Sequence, residues 1–313
     1  MNDSFFYAIT TNPFLQMALF AALLASVCSG IIGSYTVVRR VVFISGSIAH
    51  AVLGGIGVAL YLHYYTLNPI FSPLSGAIFS AFFFGFIIGW MHLKYKQRVD
   101  SVIAAIWSIG MAIGVILISI TPGSNAELMN FLFGNLLWAS HREVYLLIIL
   151  NAIIILSSVI FHKRFLAICF DETNAYLQKQ PVVFLYFFLL SLICLTIVIL
   201  IQVIGAILVI SMLCLPAAIA NIFTRKLSKM ILLAILLSCI MSLLGTYISF
   251  VFNWPVGATI ALITTIVYFS SLPIKKILHV LFILAPTITK EMFFSLPLKG
   301  FYVILSPKLT KGF

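Results

Sequence analysis

Acidic side chains are scarce in this sequence: seven among 313 residues, against eighteen lysines and arginines. They are Asp3, Asp100, Glu127, Glu143, Asp171, Glu172 and Glu291, and all fall in loops or at the ends of apolar runs. With no carboxylate in the middle of a run, the sequence argues against a proton-driven carrier, which relies on a buried acid relay. A Gly-x-x-x-x-Gly-Lys-Ser/Thr phosphate loop is missing, so the chain does not hydrolyse ATP by the P-loop route. His-Glu-x-x-His and Gly-x-Ser-x-Gly are missing too, as is the intramembrane acid pair of an aspartyl membrane protease. Any energy source is therefore expected in a partner. The five cysteines (Cys28, Cys169, Cys194, Cys214 and Cys239) follow no pairing or metal-ligand spacing, and four lie inside apolar runs. They read as small buried hydrophobes. The opening Met-Asn-Asp-Ser-Phe lacks the positive start of a cleavable signal peptide, so the first span is expected to be kept.

What the chain has in abundance is apolar length. Hydrophobic residues make up 63% and charged residues 8%, with a mean hydropathy of +1.21. That excludes a soluble globular protein and indicates an all-α polytopic membrane protein. The net charge of +11 does not imply nucleic acid, because the bases sit in short clusters between runs of spanning length. A crossing helix needs about 20 apolar residues. About nine spans (eight to ten) are expected, near 14–38, 44–63, 72–92, 101–121, 143–162, 182–202, 204–223, 230–250 and 256–272. Basic residues follow the odd-numbered spans, and only Arg142 falls on the opposite side. The positive-inside rule then puts the N-terminus outside and the C-terminus in the cytoplasm.

The breaks between spans carry their own signals. Thr121-Pro122-Gly123 ends a helix, and 125–138 is too short to cross, which leaves a surface helix or a re-entrant segment. Pro216 lies inside the seventh span and is expected to kink it. Gly85 with Gly89, and Gly110 with Gly114, are small-xxx-small pairs that suit helix packing. The polar stretch 163–181 has acids at 171 and 172, then Ala175 and a closing Pro181. It reads as either a short cytoplasmic docking helix or an ordinary solvated loop. Residues 1–273 form the expected transmembrane domain, and 274–313, broken by four prolines, a membrane-surface or cytoplasmic tail.

The most informative stretch runs from Arg39 to Gly57. On a helix, Gly46, His50, Gly54 and Gly57 share one face with Ser47 beside them. Such a face admits another backbone closely and leaves one imidazole in an otherwise smooth groove. An ionisable group at that depth serves either as interhelical glue or as part of a pathway, and the face alone leaves both open. His63, His92, His141, His162 and His279 sit at span ends or near lysines and read as interfacial or solvated.

Several motifs in order carry a resemblance. Val37-Val38-Arg39-Arg40, Ser45-Gly46-Ser47-Ile48-Ala49-His50-Ala51 and Gly54-Gly55 resemble the second-helix signature of the zinc/manganese/iron ABC importer permeases, the ABC-3 family. Cys169-Phe170-Asp171-Glu172, Ala175 and Pro181 are similar to that family's cytoplasmic coupling segment. The runs from Val203 through Gly205 to Pro216-Ala217-Ala218, and Asn253-Trp254-Pro255-Val256-Gly257-Ala258, resemble its late membrane motifs. With Thr121-Pro122-Gly123 and Phe133-Gly134-Asn135 these cover about residues 14–275. Many members carry an acid at the position of Gly46, and the usual late coupling glycine aligns with Lys179.

The resemblance implies a type II ABC importer permease in the bacterial inner membrane. It implies a homodimer, an ABC ATPase dimer beneath it and an extracytoplasmic metal-binding solute-binding protein above. The cargo would be Zn²⁺, Mn²⁺ or Fe²⁺, with no permanently bound cofactor and no catalytic residue. His50 becomes the metal ligand, Gly46, Ser47, Gly54 and Gly57 the small face lining the pathway, and Phe170, Asp171, Glu172 and Ala175 the ATPase-coupling residues. The alternatives are a permease for metal chelates such as siderophores or cobalamin, and a stand-alone secondary carrier.

Overall fold

The computed structural model describes residues 5–95, 99–123, 125–134, 136 and 139–273. The chain divides into two compact units, Met1–Phe269 and Ser270–Phe313. The expected tail, 274–313, lies outside the described residues. The described part is helical, with no strand among its residues. In chain order the helices are α1 (Phe5–Thr11), α2 (Pro13–Val38), α3 (Val42–Thr66), α4 (Pro73–Tyr95), α5 (Val99–Ile120) and α6 (Asn125–Phe133). There follow α7 (His141–Phe170), α8 (Glu172–Leu177), α9 (Val182–Ile204), α10 (Ala206–Phe223), α11 (Leu227–Phe252) and α12 (Val256–Pro273). Among the described residues nine helices are long and apolar enough to cross a membrane, all but α1, α6 and α8. They match the expected spans, because hydrocarbon thickness leaves few other ways to cut such runs. The largest difference is α7, which continues to Phe170 and takes in the first eight residues of the polar stretch 163–181.

Local chemistry fixes the helix ends. Asn12 caps α2, its Oδ1 accepting from Phe14 N at 3.0 Å, with Pro13 in the first turn where a missing N–H costs nothing. Ser140 and Glu143 form a reciprocal capping box at the start of α7, with Ser140 N donating to Glu143 Oε2 at 2.7 Å. Between α2 and α3 the chain turns at Arg40 in the left-handed region, φ 60°. Arg40 N donates to Val37 O and Val41 N to Thr36 O, so this elbow is closed by hydrogen bonds. The helix α10 runs on through Pro216.

Most of α2, α3, α9 and α10 is buried, whereas only about a third of each of α4, α5, α7 and α11 is, as suits helices on the outside of a bundle. Gly85 and Gly89 of α4 sit against Cys194 and Leu190 of α9, the packing role expected for that pair. Polar side chains stitch α2 to its neighbours: Ser26 to Ser242 of α11 at 3.0 Å, and Asn151 Nδ2 of α7 donating to Leu24 O at 3.0 Å. His162 is less solvated than expected. It joins α7 to α2 and α11, with Tyr35 OH 3.1 Å from Nδ1 and Ser228 Oγ 3.0 Å from Nε2.

Helix α6 occupies the first part of the stretch 125–138, expected to be a surface helix or a re-entrant segment. Nine residues rise about 14 Å, too short to cross. It packs on α5, α9 and α10 and ends at Gly134, φ 69°, whose backbone abuts Gly205, φ 80°, at the break between α9 and α10.

Candidate functional site

Two places carry the expected site residues. The first is the small face of α3. Its widest interface within the protomer is with α5, and the glycines explain why. A Cβ at Gly54 would lie 2.9 Å from the Gly110 carbonyl oxygen, and one at Gly57 2.9 Å from that of Gly114. Gly110 in turn lies against the Ala51 backbone. Bare backbone on both helices lets them touch. At Gly54 and Gly57, therefore, the face expected to line a pathway is covered by α5 in the conformation described. Ser47 is also committed, its Oγ donating to Ile103 O at 3.0 Å. Gly46 is looser: a Cβ there would meet only the Trp107 ring, at 3.6 Å.

His50 sits about 12 Å along α3 from its first residue. Its imidazole stacks on the Trp107 indole of α5, with ring centroids 4.2 Å apart and planes 18° from parallel. Nδ1 is buried with no hydrogen-bond partner, while the residue as a whole is half-buried. That leaves Nε2 as the nitrogen on the accessible edge. To ligate through Nε2 the ring must carry its proton on Nδ1, where no acceptor strengthens it. Ligating histidines that hold metal tightly usually have such an acceptor. This imidazole is thus a ligand of modest strength, suited to an ion that must leave again. Among the described residues no group of three His, Cys, Asp or Glu side chains comes together.

Trp107 was not among the residues singled out from sequence. Part of the signal was available: Ile103, Trp107, Gly110 and Gly114 fall at i, i+4, i+7 and i+11 on one face of α5, close to the i, i+4, i+8, i+11 spacing of Gly46, His50, Gly54 and Gly57 on α3.

The second place is the polar stretch after α7. Asp171 caps α8, its Oδ1 accepting from Asn174 N at 3.0 Å. The helix closes through Lys179, φ 58°, a left-handed position where glycine is less strained. Ala175 does not face outward. It is 1% exposed and belongs to the apolar core, so its small size seats α8 on the permease itself instead of on a partner. Glu172 also turns inward, pairing with Arg39 at the end of α2. Phe170, Tyr176 and Leu177 point away, at 65%, 75% and 74% exposure. Tyr176 and Leu177 were missed in the sequence, although two large apolar side chains in a polar loop are the usual mark of a docking patch.

The sequence profile of the ABC 3 transport family matches residues 11–275. A "probable metal transport system membrane protein" of Chlamydia muridarum is 48% identical over 264 residues, 84% of this chain and 90% of the relative. The "manganese transport system membrane protein MntC" of Listeria monocytogenes is 34% identical, covering 85% and 92%. Among solved structures, "PsaBC from Streptococcus pneumoniae in complex with Fab" superposes with a TM-score of 0.75 at 30% identity, covering 87% of this chain and 95% of that one. A "putative metal-chelate type ABC transporter" in an inward-facing conformation shares the fold, with a TM-score of 0.64 at 14% identity.

Proposed function

Because the chain belongs to the ABC 3 transport family, we propose that it imports a divalent first-row metal ion, manganese foremost, as one half of a homodimeric permease. It is a membrane-embedded transport component, and hydrolysis of ATP belongs to a separate ATPase subunit. The observation that carries the reading of the site is His50: one imidazole inside an apolar span, pinned flat on Trp107 with its Nε2 edge accessible. Two copies meeting near a two-fold axis would present two neutral nitrogens, with water completing the shell. The name of the Listeria relative supports manganese as the cargo. A solute-binding protein would deliver the ion on the outer face, where the N-terminus lies on our reading of the basic loops.

The test is uptake by proteoliposomes holding the permease with its ATPase and solute-binding protein. We expect ATP-dependent uptake of radioactive manganese, tested for competition by Zn²⁺ and Fe²⁺. Uptake of a siderophore complex with none of the free ion would replace this reading with the chelate alternative.

We assign ATPase docking to Phe170, Tyr176 and Leu177, carried on a helix that Asp171 caps and Ala175 seats. Replacing both Tyr176 and Leu177 by Asp puts two charges into an apolar contact without touching the seat. Co-purification of the ATPase is expected to drop at least tenfold, the loss of about 1.4 kcal/mol or more typical of an interface anchor. Undiminished co-purification moves the docking site to another loop.

A further inference from the structure

The buried end of the α8 attachment holds one charged side chain that the proposed function does not use. Arg39 is the residue that ends α2, yet its side chain is only 5% exposed. Its guanidinium reaches three other elements. One terminal nitrogen donates to the Ile168 carbonyl of α7, the other pairs with Glu172 at the first residue of α8, and the plane lies 4.5 Å over the Tyr186 ring of α9. On the side of α3, a cavity of about 10 Å³ bounded by Arg39, Val41, Ile44 and Tyr186 has room for no more than one water. Arg39 Nε and Tyr186 OH are buried without hydrogen-bond partners of their own.

We propose that Arg39 is a positioning residue that transmits movement of α8 to α3, and so to His50. The proposal rests on the reading of the chain as an ATP-driven permease with α8 as its docking element. A guanidinium at this depth cannot be left without its carboxylate, because an unpaired buried charge is far more costly than a displaced helix end. When Glu172 moves with α8, Arg39 follows. The backbone of Arg39 leads through the hydrogen-bonded elbow at Arg40 and Val41 directly into α3. With no slack loop between them, a shift at α8 arrives at the first turn of the helix whose third turn carries His50. The link is a fork of two hydrogen bonds to two different elements, a geometry a point-charge ammonium does not reproduce.

The experiment measures manganese uptake and ATP hydrolysis together in the reconstituted complex. For Arg39→Gln we expect normal assembly with the ATPase and near-normal hydrolysis. Uptake should fall, so that roughly tenfold more ATP is consumed per ion, within the range of ordinary allosteric coupling. Arg39→Lys, which keeps the charge but loses the fork, is expected to fall between this variant and wild type. If hydrolysis and uptake decline in proportion, or neither declines, Arg39 is a structural ion pair and the proposal is overturned. Should Arg39→Gln fail to assemble, the ATP-to-manganese ratio of Arg39→Lys decides on the same terms. Wild-type complex without ATP-dependent uptake would instead sink the transport reading on which the proposal stands.

Discussion

His50→Ala is expected to assemble normally, to bind the ATPase, and to lose manganese uptake by roughly 100-fold or more. Removing even an outer partner of a metal ligand costs about 10- to 100-fold, and here the ligand itself is removed. Folding should tolerate the change, since the lost stack on Trp107 contributes only about 0.5–1.5 kcal/mol. Nor does the substitution leave a charge or hydrogen bond unpaired: Nδ1 has no partner to abandon. Uptake and ATPase co-purification, measured on one preparation, separate this variant from those at Tyr176 and Leu177. Near-normal uptake with competing metals present would return His50 to a packing role.

Gly205→Ala is expected to have a large effect on folding, about 2–6 kcal/mol, from two costs at one residue. Its backbone, φ 80° and ψ 158°, lies where side chains are strained by about 1–3 kcal/mol. An added Cβ would also fall 2.2 Å from Gly134 N and 2.4 Å from the Phe133 carbonyl carbon, overpacking that costs about 1–3 kcal/mol more. Both contacts are backbone atoms that cannot swing aside. Gly123 is the control. It shares the φ of 80° but has nothing within 4 Å, so Gly123→Ala carries no steric overlap. Thermal unfolding in detergent should show a much larger drop for Gly205→Ala. Equal drops would mean that α6 gives way at its docking point and that the junction is soft.

Much of the first site was legible as residue types at helical spacing. His50, the small residues and the paired glycines of α5 are all visible in one dimension. What the spacing did not reveal is that α3 and α5 present matching faces to each other, so that Gly54 and Gly57 serve a helix contact. The acids at 171 and 172 also divided in an unforeseen way. One caps its own helix, as its position before an apolar turn suggested, while the other reaches Arg39, 133 residues away. Nothing local distinguishes a carboxylate that will meet a buried arginine from one that will meet water.

The sequence by itself determined that this chain crosses a membrane, roughly where its nine spans lie, and which motifs it shares with metal permeases. The physical reason is that hydrocarbon thickness and unsatisfied backbone groups act on each segment separately, so every span declares itself. Only the tertiary structure decided which side of each helix is inside. In lipid the outward face is as apolar as the core, so hydropathy gives no period from which to read burial. Packing likewise decided that Ala175 turns inward and that Arg39 joins four elements, because both depend on contacts far apart in the chain.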